Sequence, residues 1–133
     1  MRQSRFRSRP RPRIGPDEAR LKRAHWDAAM AQGGCAMCPP SRPVPPEVRP
    51  DLRILEAHHI LEKEKLARLG LPPEAVHDPR NALCLCVHHH DQHEHHRERV
   101  PRRRLPAGTF EWAAENGVDW LLDRTYPKED VRP

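Results

Sequence analysis

Aromatic residues are scarce in this chain: two Phe, one Tyr and three Trp, or 5% of its 133 residues. Apolar residues of every kind reach only 36%. A chain this short and polar buries little apolar surface, so one small domain held by a staple, a metal or a disulfide, is expected. Long apolar runs are missing as well. None approaches the roughly 18–20 residues of a membrane span, so no membrane partner is expected. The Arg-rich N-terminal stretch lacks the apolar segment of a secretory signal. Export is therefore not expected, and the four Cys read as reduced thiols or metal ligands rather than disulfides. No internal repeat, helix-turn-helix or zinc-finger array stands out, so no element that reads base sequence is visible.

Proline, histidine and arginine are abundant instead. Sixteen Pro break up regular structure. Residues 1–13 hold six Arg and no acid, with Arg5, Arg7, Arg9, Arg11 and Arg13 alternating with other residues and two Arg-Pro steps. This pattern predicts a disordered or polyproline-like basic arm over residues 1–16, able to neutralise phosphates without reading sequence. A second basic cluster comprises Arg97, Arg99, Arg102, Arg103 and Arg104. With a net charge of +5, nucleic acid is the expected partner. Arg outnumbers Lys 20 to 4, which hints at a GC-rich genome.

The pattern predicts a helix over Asp17 to Gln32, with Leu21, Ala24, Ala28 and Ala31 at helical spacing and Gly33-Gly34 ending it. Pro39 to Pro50 reads as a stiff loop. A strand over Arg53 to Ile60 precedes a short helix over Leu61 to Leu69. Residues 72–80 read as loop, and Ala82 to Cys86 as a second strand with Leu83 and Leu85 on one face and Cys84 and Cys86 on the other. A helix over His89 to Arg99 stops before Pro101. Thr109 can cap a helix starting at Phe110, and Gly117 separates it from another over Val118 to Arg124. Phe110, Trp112 and Trp120 are expected to pack these helices onto the domain, with base stacking as the alternative.

Cys35-Ala-Met-Cys38 has the spacing that lets two thiolates meet one tetrahedral ion. A redox pair shares this spacing but usually opens a helix after a strand, whereas here the motif follows a helix and Gly-Gly. The other half of the knuckle is Cys86-Val-His-His89, Cys and His three apart. Cys84 with Cys86 is the alternative, and four unbound thiols the simplest reading. The favoured set is one structural Zn²⁺ on Cys35, Cys38, Cys86 and His89, with Cys84 as a buried neighbour. Zinc binding would couple to folding and supply the staple.

Six of the ten His crowd into nine positions (His88, His89, His90, His93, His95 and His96), and His58-His59 form a separate pair. His95 and His96 read as a solvated helix face, and His25 and His77 as surface or packing residues. Along the chain, His58-His59, Asn81 and His90 form a His-His…Asn…His order. Leu55-Glu56-Ala57-His58-His59-Ile60, followed by Asp78-Pro79-Arg80-Asn81-Ala82-Leu83-Cys84-Leu85-Cys86 and His88-His89-His90, resembles the HNH endonucleases, in the zinc-knuckle subtype and of the small phage type.

The resemblance implies an α+β fold with a ββα-metal core. It implies a metal-dependent endonuclease that hydrolyses DNA phosphodiester bonds, nicking or cutting, and leaves a 5′-phosphate and a 3′-hydroxyl. His59 would be the general base, His58 and His90 ligands of one catalytic divalent ion (Mg²⁺, Mn²⁺ or a transition metal), and Asn81 the brace of the site. His93 or Glu94 would add a ligand one helical turn later. His has the side-chain pKa nearest neutrality, which suits a base, and imidazole suits a transition metal. The expected division is a basic arm over 1–16, the nuclease domain over 17–100, and a basic and helical extension over 101–133. Phosphate contacts fall to Arg5, Arg7, Arg9, Arg11, Arg13, Arg102, Arg103 and Arg104, with specificity borrowed from a partner protein. The expected setting is the cytoplasm of a prokaryotic or phage-infected cell. Two further readings are a non-catalytic zinc module that binds nucleic acid and a His-rich metal-handling protein. Neither needs His59, Asn81 and His90 together.

Overall fold

The computed structural model describes residues 16–38, 54–95 and 99–128. The arginines of residues 1–13, the loop expected over Pro39 to Pro50, and His96 and Arg97 lie outside the described residues. Helix α1 (Pro16–Met30) opens with Asp17 and Glu18 in its first turn, where carboxylates complement the helix dipole. Strand β1 (Leu55–His59) pairs antiparallel with β2 (Ala82–Cys86), setting Leu55 opposite Cys86, Ala57 opposite Cys84 and His59 opposite Ala82. Between them lie α2 (Lys63–Arg68) and α3 (Pro73–Val76). Helix α4 (Val87–Glu94) leaves β2 without a loop, and α5 (Ala107–Glu115) and α6 (Asp119–Thr125) complete the order. Among the described residues no helix is long and apolar enough to cross a membrane. The arrangement is a small α+β unit with a ββα core.

Strand alternation divides the interior. Leu55, Ala57, Ala82 and Cys84 pack against Ala28, Ala29 and Met30 of α1. Leu83 and Leu85 face the other way, into a core with Ile60, Leu61, Leu66, Trp112, Leu122 and Tyr126. The C-terminal helices thus share the core of the hairpin. Trp112 is fully buried and its indole N–H donates to the Ala75 carbonyl at 3.0 Å. The Tyr126 hydroxyl donates to the Ile60 carbonyl at 2.8 Å.

The outer edge of β2 is covered rather than left open. The Gln32 side chain donates to the Ala82 carbonyl at 2.8 Å and accepts from the Cys84 N–H at 2.9 Å. The Ala36 N–H adds a bond to the Cys84 carbonyl at 2.8 Å. Gln32 and the loop after it therefore act as a third, partial strand on an edge that would otherwise invite pairing. Gly33 and Gly34 make the turn between them, at φ 83° and 153°.

Several elements differ from the sequence expectation. The buried stripe of α1 runs through Leu21, His25 and Ala29, while Ala24 and Ala31 face solvent. The expected stripe is turned because His25, 2% exposed, lies on the inner face. The expected loop over 72–80 contains α3 and a 3₁₀ turn at Pro79–Asn81, each opened by Pro at its first positions. Helix α4 starts two residues earlier than expected, at Val87, because the Cys86 side chain caps it by accepting from the His89 N–H. It ends at Glu94 rather than Arg99. Helix α5 starts at Ala107, directly after Pro106, so Thr109 is not its cap. The Thr109 hydroxyl instead donates to the Arg80 carbonyl at 2.6 Å.

Candidate metal centres and active site

The Cys35–Cys38 turn, the end of β2 and the first turn of α4 meet at one point. Cys35, Cys38, Cys86 and His89 place their donor atoms within 4.8 Å of one another. His89 Nδ1 lies 3.4 Å from Cys35 Sγ, 3.2 Å from Cys38 Sγ and 3.2 Å from Cys86 Sγ, and the Cys38 and Cys86 sulfurs are 3.9 Å apart. Tetrahedral zinc, with bonds of about 2.3 Å to sulfur and about 2.0 Å to nitrogen, requires edges of roughly 3.8 Å and 3.5 Å. The donor set fits, and it can hold a zinc ion.

The titration of the thiols shows the same crowding. Burial pushes the Cys35 thiol up, but the His89 ring and nearby backbone N–H groups outweigh it and bring the pKa to about 6. Cys38 is pushed up to about 12 by burial and by the Cys35 and Cys86 thiolates. A divalent cation in their midst would remove that repulsion. Cys84 lies apart, fully buried against Ala29 and Ala82 on the α1 face.

A second cluster occupies the opposite face of the hairpin. His58, His90 and Glu94 bring ligand atoms within 4.8 Å of one another. His58 is 4% exposed. Burial first, then the neighbouring His93 and His90, hold its pKa well below the usual histidine value, so its ring is neutral and its nitrogens can ligate. His90 is flanked by two carboxylates, with Nε2 3.3 Å from Glu94 and Nδ1 3.6 Å from Glu56. Glu56 sits two positions before His58 on β1 and therefore shares its face. Of the two residues considered for a further ligand, Glu94 reaches the cluster. His93 is buried, accepts from the Val100 N–H at 3.2 Å and stacks on Tyr126.

His59 points the other way. It stacks on His25 with ring centroids 3.9 Å apart, and its Nε2 is 3.1 Å from His77 Nδ1. Burial first, then His25, His77, Lys63 and Lys22, lower its pKa to about 3. His77 Nε2 lies 3.8 Å from Glu18. The structure thus separates the His58-His59 pair, one ring to each face of β1. His25 and His77, set aside on sequence grounds, are 2% and 4% exposed and enclose His59. The signal that would have found His25 is its spacing of four from both Leu21 and Ala29, a polar residue inside an apolar stripe.

Asn81 is fully buried. Its side chain accepts from the Leu61 N–H at 2.8 Å and donates to the Leu61 and Val76 carbonyls at 3.2 and 3.0 Å. Its own carbonyl accepts from the Ile60 N–H and from His25 Nε2, both at 3.0 Å. It therefore pins the chain leaving β1 to the chain entering β2.

A cleft of about 80 Å³ opens beside His58 and Glu94, with Lys65 and Arg99 among its walls. Of the second basic cluster, Arg102 pairs with Asp123 at 2.8 Å and lies over the Phe110 ring, so it is tied into the C-terminal packing. Arg103 and Arg104 are exposed.

An antiparallel hairpin that runs directly into a helix, with imidazole and carboxylate donors between them and a thiolate knuckle at the junction, defines the ββα-metal class. Residues 35–97, just under half of the chain, match the family model of the HNH endonucleases. The family supports nuclease activity in general and a nucleic-acid substrate. No curated protein and no solved structure matches the chain.

Proposed function

We propose that this protein is a metal-dependent endonuclease that hydrolyses DNA phosphodiester bonds and leaves a 5′-phosphate and a 3′-hydroxyl. The observation that carries this reading is the clustering of His58, His90 and Glu94, two of which, His58 and Glu94, line a cleft walled by Lys65 and Arg99. Two imidazoles and a carboxylate suit a divalent ion such as Mn²⁺, Mg²⁺ or a transition metal. Such an ion, when bound, would polarise the phosphate and stabilise the departing oxygen. Glu56 would orient His90 through the other ring nitrogen, as carboxylates commonly do behind ligating histidines. Lys65 and Arg99 would hold the substrate phosphates, and the basic arm over 1–16 would add affinity.

His59 is the proposed general base. With His77 Nε2 turned toward Glu18, His77 Nδ1 accepts from His59 Nε2–H, and the lone pair of His59 then lies on Nδ1. The ring is neutral at working pH, the state a base requires, and because it faces α1, the role requires the end of β1 to turn the ring toward the face that carries His58. Asn81 acts as a positioning residue through the segment from Ile60 to Leu61 and through His25.

The test is supercoiled plasmid cleavage by wild type, His58→Ala, His59→Ala and His90→Ala, with Mg²⁺ or Mn²⁺ added and zinc content recorded. Metal-dependent nicking lost in all three variants, with zinc retained, is the expected result. Activity that survives in His59→Ala but not in His58→Ala would move the base role elsewhere. Absence of cleavage by wild type, with DNA still bound, would favour a non-catalytic binding module.

A further inference from the structure

The His58–Glu94 cleft continues into a second, wider groove, and the two share Lys65, Arg99, Leu121 and Thr125 as walls. The groove has a volume of about 480 Å³. Arg68 and Arg124 add two more cations to Lys65 and Arg99, and no carboxylate lines it. Glu62 contacts Lys65 at 3.9 Å, but from the side of the cleft. Within this basic frame two large apolar side chains face outward. Trp120 is 51% exposed and Leu69 47% exposed. The Trp120 indole N–H donates to the Gly117 carbonyl at 3.0 Å, which holds the ring plane while leaving much of its face open. Trp112, on α5, is by contrast fully buried.

Cations alone track a phosphate backbone and accept a duplex as readily as a single strand. An aromatic face set among cations has a further use, because unpaired bases can stack on it and paired bases cannot. We infer that the Trp120 groove is a subsite for an unpaired stretch of DNA leading into the His58–Glu94 cleft, with one base stacked on Trp120 and flanking phosphates on Arg68, Arg99 and Arg124. The substrate class is then DNA with single-stranded character next to the cleavage point, such as a flap, a fork or a locally opened duplex. This inference rests on the proposed nuclease reading, since it takes the cleft to be the cleavage site.

Binding and cleavage are to be measured separately. Trp26→Phe in the full chain leaves Trp120 as the exposed indole beside buried Trp112. A short oligo-dT of about 10 nucleotides and a blunt duplex of equal phosphate count are titrated in turn, without added divalent metal and with zinc retained. Oligo-dT is expected to quench the fluorescence. Trp120→Ala is expected to weaken oligo-dT binding by about 5- to 100-fold, the range for loss of one stacked base, and to leave duplex binding within about twofold. Trp120→Phe should recover part of the loss, which a merely unfolded variant would not. Arg68→Glu with Arg124→Glu should weaken oligo-dT binding and flatten its salt dependence. Equal losses for oligo-dT and duplex in Trp120→Ala, or none for either, would overturn the inference. Plasmid cleavage that persists alongside such a result would leave the nuclease reading standing. Conversely, Trp120-dependent oligo-dT binding with no cleavage of plasmid, flap or single strand would sink the nuclease reading and leave the groove as a binding site.

Discussion

Replacing Asn81 with Ala should cost this protein a large part of its stability. The side chain makes three hydrogen bonds, at 2.8, 3.2 and 3.0 Å, to the N–H and carbonyl of Leu61 and the carbonyl of Val76. Leu61 is 1% exposed and Val76 6%, so the stranded groups lie out of solvent. A buried polar group left without a partner costs about 1–3 kcal/mol. Water can enter the vacated space and recover part of this, which places the total at roughly 3–6 kcal/mol. Against a typical domain stability of about 5–15 kcal/mol, that is enough to unfold a marginal protein. Asn81→Asp is the sharper control. It keeps the acceptor for the Leu61 N–H but loses both donated bonds and sets a carboxylate against two carbonyls, so it should be no better than Ala. The assay is urea denaturation followed by far-UV circular dichroism at pH 7.5, with excess zinc held constant so that metal linkage cancels. A loss under about 1 kcal/mol in Asn81→Ala, or an Asp variant close to wild type, would refute the idea that this side chain pins the two strands together.

Two other outcomes follow from the metal centre and the buried histidines. Cys38→Ala should lose tightly bound zinc and much of the helical signal, while Cys84→Ala should keep one zinc per chain, as read by a colorimetric release assay; zinc retained by the first or lost by the second would reassign the knuckle. His25, His58, His59 and His77 all titrate below the usual histidine value in the folded protein. The unfolded chain therefore binds more protons than the folded one below pH ~6.5, and stability should fall as pH drops from there toward the His59 value of about 3. Urea midpoints at pH 8, 6 and 5 test this, and a flat profile would contradict the burial of these rings.

Much of the frame was legible because local signals agreed with the tertiary outcome. Both strands, the Gly-Gly stop after α1 and the Cys35, Cys38, Cys86 and His89 set follow from spacing, because strand alternation and knuckle geometry depend on few residues. Glu94 at the second cluster was legible only as one of two choices, since helical positions three and four after His90 point to nearly the same side. What stayed hidden depends on contacts between distant segments. His25 and His77 look ordinary in the sequence, and only the packing of α1 against the end of β1 and the 3₁₀ turn brings them to His59. The N-terminus of α5 was misplaced for a related reason: Thr109 has a capping side chain, but its hydroxyl is occupied by Arg80 across the fold. Strand alternation, applied to the His58-His59 pair, already implies opposite faces, and the structure shows the two rings in separate clusters.

The direct junction of β2 with α4 has a mechanical consequence. Cys86 is at once the last residue of β2, the cap of α4 and a knuckle donor, and His89 and His90 follow within one turn. Successive residues of a helix differ by about 100° in direction. A metal ion held by the knuckle would grip α4 through His89 and so set the rotational phase of the helix and thereby the aim of His90 and Glu94. Inserting or deleting one residue between Cys86 and His90 would keep every side chain present and yet turn His90 and Glu94 away from His58. The spacing across those five positions is thus a phase lock between two centres that share no ligand.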